Sequence, residues 1–234
     1  MKTYIWTIPT RLVHWSLAIG LVIAYILGGE ESSLNLHTAL GYFVVSLVLF
    51  RIIWGLIGPK YSKFSDFPIS PKSIKLFFFK TKESKTTNKG HNPLASIIML
   101  LIYINILAVG CTGMLTLAGE GQGFLSSFWV INNSELYEEL HEVFVNVLIV
   151  LVSLHLLGIL TDVIFHRENG TLLSIFTGYK NLDGESVKLN IMQKVYAFIW
   201  ILFPFMLLIY TINFQNVTEN EKNSKYEQYE EDDD

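Results

Sequence analysis

The chain has 234 residues, of which 51% are hydrophobic, and its mean hydropathy is +0.40. This composition excludes an ordinary soluble domain of the same length and indicates a multi-span membrane protein. The single cysteine, Cys111, excludes a disulfide framework and any Cys-x-x-Cys metal site, and the net charge of −4 conceals opposite charges in different segments.

Five apolar segments follow one another along the chain, at residues 12–28, 36–57, 94–117, 140–165 and 195–212. Each is near the ~20 residues that a helical membrane span needs, and a lone strand would leave its backbone unpaired in lipid. We therefore predict an all-α integral membrane four-helix bundle with a fifth transmembrane helix near the C-terminus. The first segment contains His14 and Trp15 and lacks a small-x-small cleavage pattern, so we expect a retained span and not a signal peptide. Pro204 lies inside the fifth segment and is expected to kink it.

The connecting stretches carry charges of opposite sign. Residues 59–92 contain eight lysines and two acids, whereas residues 29–35 and 119–139 contain acids but no lysine or arginine. Since an excess of lysine and arginine in short loops marks the cytoplasmic side, we predict that the N-terminus is cytoplasmic. The last stretch, 213–234, has eight acids and two lysines and is predicted to be disordered.

Four histidines lie inside the predicted spans, and His141 and His155 stand fourteen residues apart on the fourth of them. At about 100° and 1.5 Å per residue, both imidazoles leave one side of that helix, about 21 Å apart along its axis. In the predicted orientation His14 and His155 lie toward the inner face, whereas His37 and His141 lie toward the outer face. The depths of His14 and His37 on the first hairpin differ by about 16 Å, which agrees to within one helical turn with the about 21 Å between His141 and His155. Two pairs are therefore predicted, His14 with His155 and His37 with His141.

Paired imidazoles in an apolar bundle favour a b-type haem at each pair. Zinc needs three or four ligands, and no cysteine, aspartate or further histidine completes either set. A haem needs two axial nitrogens on opposite faces of a flat apolar macrocycle, which a helical bundle holds without covalent bonds. Ala18, Gly41 and Gly158 lie one turn from a histidine and would let a macrocycle approach the backbone, although close helix packing is the simpler explanation of each one.

Arginines cluster at the predicted inner face, where the propionates of an inner haem would need positive charge. They are Arg11, Arg51 and Arg167, and snorkelling at the membrane interface explains them equally well. Propionates of an outer haem would depend on water, on a partner protein, or on amides such as Asn132 and Asn133.

Five stretches carry a resemblance to a known family: RLVHW at 11–15, LHTALGYFVVSLVLFRIIWGLIGPKYSKFSDF at 36–67, GHNPL at 90–94, LHEVFVNVLIVLVSLHLLGIL at 140–160 and FHRENGTLLSIFTGYK at 165–180. Together they resemble the bacterial cytochrome b561 and Ni,Fe-hydrogenase b-type cytochrome family of membrane di-haem cytochromes. The resemblance implies a di-haem domain at 1–180 with two haems b, whose iron ligands are His14, His37, His141 and His155. It gives no support to the connector and fifth helix at 181–212 or to the tail at 213–234.

Two histidine ligands leave no open position on a haem iron, so we expect electron transport and no catalysis at the haem. The predicted task is to relay electrons between the quinone pool of a respiratory chain and a periplasmic redox partner such as a c-type cytochrome. Asp162 and His166 are candidates for proton exchange with the quinone, although helix capping explains them more simply. Quinone oxidoreductase activity of the chain itself is left open.

Two alternatives to this function remain. One is a haem-bearing membrane anchor of a larger oxidoreductase such as a Ni,Fe-hydrogenase, without a quinone site of its own. The other is a haem-free transporter or assembly factor whose four histidines relay protons. Membrane lipid is expected to surround the chain in every case, and no nucleic-acid partner is expected.

Overall fold

The computed structural model describes residues 2–79, 90, 92–127, 133–165 and 167–232. The helices, in chain order, are α1 (Ile8–Leu27), α2 (Leu34–Ile57), α3 (Pro71–Phe79), α4 (Pro93–Gly119), α5 (Ser134–Phe165), α6 (Thr171–Thr177) and α7 (Ile191–Asp232). Within the described residues, five helices are long and apolar enough to cross a membrane: α1, α2, α4, α5 and the Ile191–Asn213 part of α7. The predicted all-α multi-pass membrane architecture is confirmed.

Local sequence signals set the helix ends. Pro9 occupies the first turn of α1, where a missing N–H removes no hydrogen bond. The Asn92 side chain caps α4 by accepting a hydrogen bond of 2.7 Å from the Ala95 N–H. At the end of α2, the N–H of Gly58 donates to the carbonyl of Trp54 over 2.8 Å. These caps satisfy backbone groups that a helix end leaves without intrahelical partners.

The central helix of the bundle is α2, which packs against α1, α4 and α7. Its core residues include Phe43, Val44, Leu47, Phe50 and Trp54, each buried. The helix α4 packs closely along α5, of whose residues only Leu148 is buried. Much of α5 therefore presents apolar side chains outward, as expected of a helix in contact with lipid.

The two ends of the bundle differ in charge and in structure. We call the end at which α1 begins the basic end, comprising residues 2–7, 58–79, 90, 92 and 167–190. The opposite end, comprising residues 28–33, 120–127 and 133, is called the acidic end. A polypeptide that crosses the membrane repeatedly places successive loops at alternate ends, which keeps the lysine-rich and the acid-rich stretches apart.

A folded cap covers the basic end, and we had not predicted it. Strand β1 (Thr3–Tyr4) pairs antiparallel with strand β2 (Tyr179–Lys180). The indole N–H of Trp6 donates to Ser174 Oγ over 3.0 Å, and that of Trp54 donates to Thr10 Oγ1 over 3.1 Å. The strand pairing and the Trp6–Ser174 bond join residues far apart in sequence and fix the N-terminal segment to β2 and α6, whereas the Trp54–Thr10 bond joins α2 to α1.

The last helix extends beyond its apolar part. Its membrane-spanning portion, Ile191–Asn213, overlaps the predicted fifth segment at 195–212. The backbone continues as helix to Asp232, where we had predicted a disordered tail. An isolated helix is only marginally stable in water, so disorder of this acidic stretch in solution stays a prediction.

Candidate functional site

At the acidic end, His37 of α2 and His141 of α5 lie beside each other. Their ring centroids are 6.1 Å apart, the ring planes are inclined by 77°, and both side chains are half-buried. Bonds between a metal ion and an imidazole nitrogen are about 2 Å long, so this separation accommodates one metal ion between the rings. The structure therefore brings together the two residues of the predicted outer pair.

Backbone carbonyls orient both of these imidazoles. The Nδ1 atom of His37 lies 2.9 Å from the Ala24 carbonyl oxygen, and Nδ1 of His141 lies 2.9 Å from the Val109 carbonyl oxygen. A carbonyl oxygen only accepts, so the hydrogen belongs on Nδ1 in each ring and Nε2 keeps its lone pair. Partners of this kind fix the tautomer and the direction of metal-binding histidines. Thr112 Oγ1 approaches Nδ1 of His141 to 3.4 Å and adds a second polar contact.

Two glycines that we did not identify from the sequence make room for the same rings. A Cβ added at Gly28 would lie 3.2 Å from Cε1 of His37, and one added at Gly113 would lie 3.1 Å from Cε1 and Nδ1 of His141. Gly113 stands on α4, so no short spacing in the sequence links it to the histidine that it accommodates. Sequence reasoning singled out Gly41 instead, where no described atom lies within 4 Å of an added Cβ.

The other two histidines, His14 of α1 and His155 of α5, lie nearer the basic end. His14 and His155 are half-buried and close enough that a charge on one ring acts on the other. Among the described residues, no hydrogen-bond partner reaches the buried Nδ1 of His14. Trp15 lies edge-on to the His14 ring, with 5.2 Å between centroids. An unpaired buried polar atom costs about 1–3 kcal/mol, which favours a bound group at this nitrogen or at this ring.

The three arginines predicted near the basic end have different environments. Arg51 is only 4% exposed, and its guanidinium carbon lies 5.2 Å from the ring centroid of Phe64 and 5.6 Å from that of Tyr103. Its Nη1 is buried and has no hydrogen-bond partner among the described residues, so snorkelling does not explain it. Arg11 donates from Nη1 to the Phe176 carbonyl and has a buried Nε without a described partner. Arg167 is exposed, in a short 3₁₀ turn after α5.

Other polar residues lie around the two pairs. Asn105 of α4, 7% exposed, donates from Nδ2 to the Phe144 carbonyl of α5 over 2.8 Å, and sequence reasoning missed it. Asp162 of α5 interacts electrostatically with Lys180 at the basic end. His166 and Asn132, which we had considered for proton exchange and for propionate contacts, lie outside the described residues.

The donor set fits a haem better than a free metal ion. In the described part of the chain, no group of three or more His, Cys, Asp or Glu side chains is placed to hold a metal ion. Two imidazoles are too few ligands for zinc, whereas a haem brings its own equatorial nitrogens and needs two axial ones. The buried, unpaired nitrogens of Arg11 and Arg51 add donors suited to carboxylates.

Comparison with known proteins gives two matches. Residues 5–178 match the family described as prokaryotic cytochrome b561. The chain is also 22% identical over 223 residues to a protein of Rhodobacter capsulatus named "Probable Ni/Fe-hydrogenase B-type cytochrome subunit", with 80% of this chain and 84% of that protein covered. No solved structure gives a significant match. The family match ends before α7 begins.

Proposed function

The chain belongs to the prokaryotic cytochrome b561 family and is therefore a membrane b-type cytochrome that takes part in electron transfer. From this premise we propose that it holds two haems b and relays electrons across the bilayer. The observation that carries this proposal is the His37–His141 pair, whose rings lie 6.1 Å apart with both Nδ1 atoms turned to backbone carbonyls. Such an arrangement leaves two Nε2 lone pairs for one iron.

In this proposal His37 and His141 ligate one haem at the acidic end, and His14 and His155 ligate the other nearer the basic end. Haem supplies one-electron oxidation and reduction of its iron. Each pair would hold its haem through two imidazole nitrogens, and electron transfer is then the chemistry that the haem would supply.

Arginines in or near the basic end would supply the positive charge that haem propionates require. Arg51 is the strongest candidate, since its buried Nη1 has no described partner and the rings of Phe64 and Tyr103 hold its guanidinium in place. Arg11 offers a buried Nε, and the exposed Arg167 is the weakest of the three. Carboxylates pair with guanidinium groups through strong, directional hydrogen bonds.

We further propose that the basic end faces the cytoplasm of a bacterial inner membrane, as the distribution of lysines favours. Electrons would then pass between membrane quinone and a periplasmic protein such as a c-type cytochrome. The name of the Rhodobacter capsulatus relative favours a second candidate, a membrane subunit that exchanges electrons with a hydrogenase.

Titration of the purified chain with quinol separates these possibilities. We expect added quinol to reduce the b-type haem bands of the chain alone, because the proposed relay includes a quinone site. Bands that dithionite reduces but quinol does not would favour the subunit of a larger oxidoreductase. Purified chain without any dithionite-reducible b-type bands would overturn both functions and favour a haem-free membrane protein.

A further inference from the structure

A cleft of about 600 Å³ opens at the basic end, between the end of α2 and the start of α7. Gly58, Lys60 and Lys63 line it from the α2 side, and Lys188 and Gln193 line it from the α7 side. Beside it, Gln193 Nε2 donates to the Ile57 carbonyl over 3.0 Å and joins the two helix ends. The cleft is separate from both histidine pairs, and its α7 side lies beyond the family match at 5–178.

The lining of this cleft is cationic. Its charged residues are three lysines and one acid, Glu185, which gives a formal balance of three minus one, or +2. Lys60 Nζ lies 3.0 Å from a Glu185 carboxylate oxygen, and this bond raises the pKa of Lys60, so the pair stays ionised. Among the described residues, Lys63 and Lys188 have no carboxylate within ion-pair distance. Uncompensated ammonium groups around a concave surface favour an anionic ligand.

The surface next to the cleft is apolar and exposed. On the α2 side Leu56 is 66% exposed, and on the α7 side Ile191 and Met192 are 78% and 82% exposed. All three belong to membrane-spanning helices, so this surface faces the acyl chains of the bilayer. A ligand that fills the cleft would therefore meet ammonium groups at one end and hydrocarbon at the other.

We propose that this cleft binds the phosphate head group of an anionic phospholipid, whose acyl chains lie along the exposed faces of α2 and α7. Lys63 and Lys188 donate hydrogen bonds to the phosphate oxygens, and basic pockets at the ends of membrane helices are known to hold such head groups. The bound lipid joins α7 to α2 at the end where the Gln193–Ile57 hydrogen bond also links the two helices. This proposal goes beyond electron transfer and is independent of the haem ligands.

Native mass spectrometry of the full detergent-purified chain tests the site with phosphatidylglycerol and with phosphatidylcholine of equal chain length. We expect phosphatidylglycerol to bind with one tight equivalent and phosphatidylcholine to bind weakly. The double variant Lys63→Gln/Lys188→Gln should weaken phosphatidylglycerol binding by at least about tenfold, because it removes both uncompensated ammonium groups of the cleft. The charge-retaining variant Lys63→Arg/Lys188→Arg should bind nearly as well as the wild type, because it keeps both positive charges in the cleft.

The matched control is Lys72→Gln/Lys75→Gln, which removes two exposed lysines of α3 at the same end but outside the cleft. We expect this variant to keep the tight equivalent. An equal loss in cleft and control variants, or equal binding of both lipids, would overturn the proposal in favour of general electrostatic attraction. Inorganic phosphate that binds as one equivalent and displaces the lipid completely at a similar concentration would instead identify a site for a soluble anion.

Discussion

At the scale of single residues, the space beside an imidazole decides whether the imidazole can point at a metal. Gly28 leaves room for the His37 ring, because a Cβ there would come within 3.2 Å of Cε1. Its neighbour Gly29 has no described atom within 4 Å of an added Cβ and no positive φ. These adjacent glycines form a matched pair in which only one substitution acts on the imidazole.

We predict that Gly28→Ala displaces the His37 ring by a few tenths of an ångström and weakens the outer haem, whereas Gly29→Ala has no such effect. The added methyl group breaks the alignment between Nδ1 and the Ala24 carbonyl that directs Nε2. Haem content and the midpoint potentials of the purified variants are the measurements. Equal behaviour of the two variants would show that His37 has no strict positional requirement.

Arg51 carries a buried charge whose partner is not a carboxylate of the described chain. If a haem propionate is that partner, the guanidinium stabilises the reduced, more negative haem through electrostatic attraction. We predict that Arg51→Gln lowers the midpoint potential of one haem and leaves the other nearly unchanged. A redox titration followed in the visible bands measures both. Arg167→Gln, which removes an exposed charge, should shift neither haem appreciably, and a shift as large as that of Arg51→Gln would contradict the assignment.

At the scale of helices, aromatic stacking attaches α7 to α2. The rings of Phe50 and Tyr196 have centroids 5.6 Å apart and planes inclined by 14°, and those of Trp54 and Tyr196 are 6.1 Å apart and inclined by 10°. Further along the same two helices, Phe205 of α7 packs against Phe43 of α2. The Tyr196 hydroxyl is buried and has no hydrogen-bond partner among the described residues. Ring packing, and not the hydroxyl, is therefore expected to hold α7.

Two substitutions at Tyr196 separate these contributions. Tyr196→Phe keeps the ring and removes an unpaired hydroxyl, so we predict unchanged stability or a gain of up to about 1 kcal/mol. Tyr196→Ala removes the stacked ring and should cost about 2–4 kcal/mol in the free energy of unfolding. Thermal unfolding of the two variants in the same detergent gives the comparison. A loss in Tyr196→Phe as large as that in Tyr196→Ala would mean that the hydroxyl has a partner.

The membrane-spanning helices could be predicted from the sequence, because each one is a run of about 20 mostly apolar residues. All five predicted segments lie within the observed membrane-spanning helices apart from a residue at the end of the first, and the helix termini are displaced by a few residues. The cap at the basic end could not be predicted from the sequence, since β1 and β2 have two residues each and their pairing joins Thr3 to Lys180. Gly28 and Gly113 were missed for a related reason: a contact between different helices leaves no periodic pattern along the chain.

At the scale of the whole molecule, the basic end is a folded structure and not only a set of charged loops. Lys180 is 6% exposed there, its Nζ donates to the Gly90 carbonyl over 3.0 Å, and burial lowers its pKa to about 8 from an ordinary value of 10.5. Between these two pH values the unfolded chain binds more protons at this residue than the folded chain does. The contribution of Lys180 to stability therefore rises with pH over that window.

We predict that, as the pH rises from about 8 to about 10.5, the unfolding temperature of the wild type increases relative to that of Lys180→Met. The variant loses the bond to Gly90 at every pH but has no buried ammonium to titrate. Lys72→Met, which removes an exposed lysine of α3 at the same end, serves as the control and should show the same pH dependence as the wild type. Parallel curves for the wild type and Lys180→Met would contradict the burial of a titrating ammonium group.

The ratio of haem b to polypeptide in the purified chain tests the central proposal most directly. Pyridine haemochrome absorbance, measured against protein concentration from amino-acid analysis, should give two haems per chain in the wild type. It should give one haem in His155→Ala and one in His141→Ala, because each variant loses one ligand of a different pair. A wild-type ratio below two, or a ratio of two that persists in both variants, would contradict the assignment of the two histidine pairs as haem ligands.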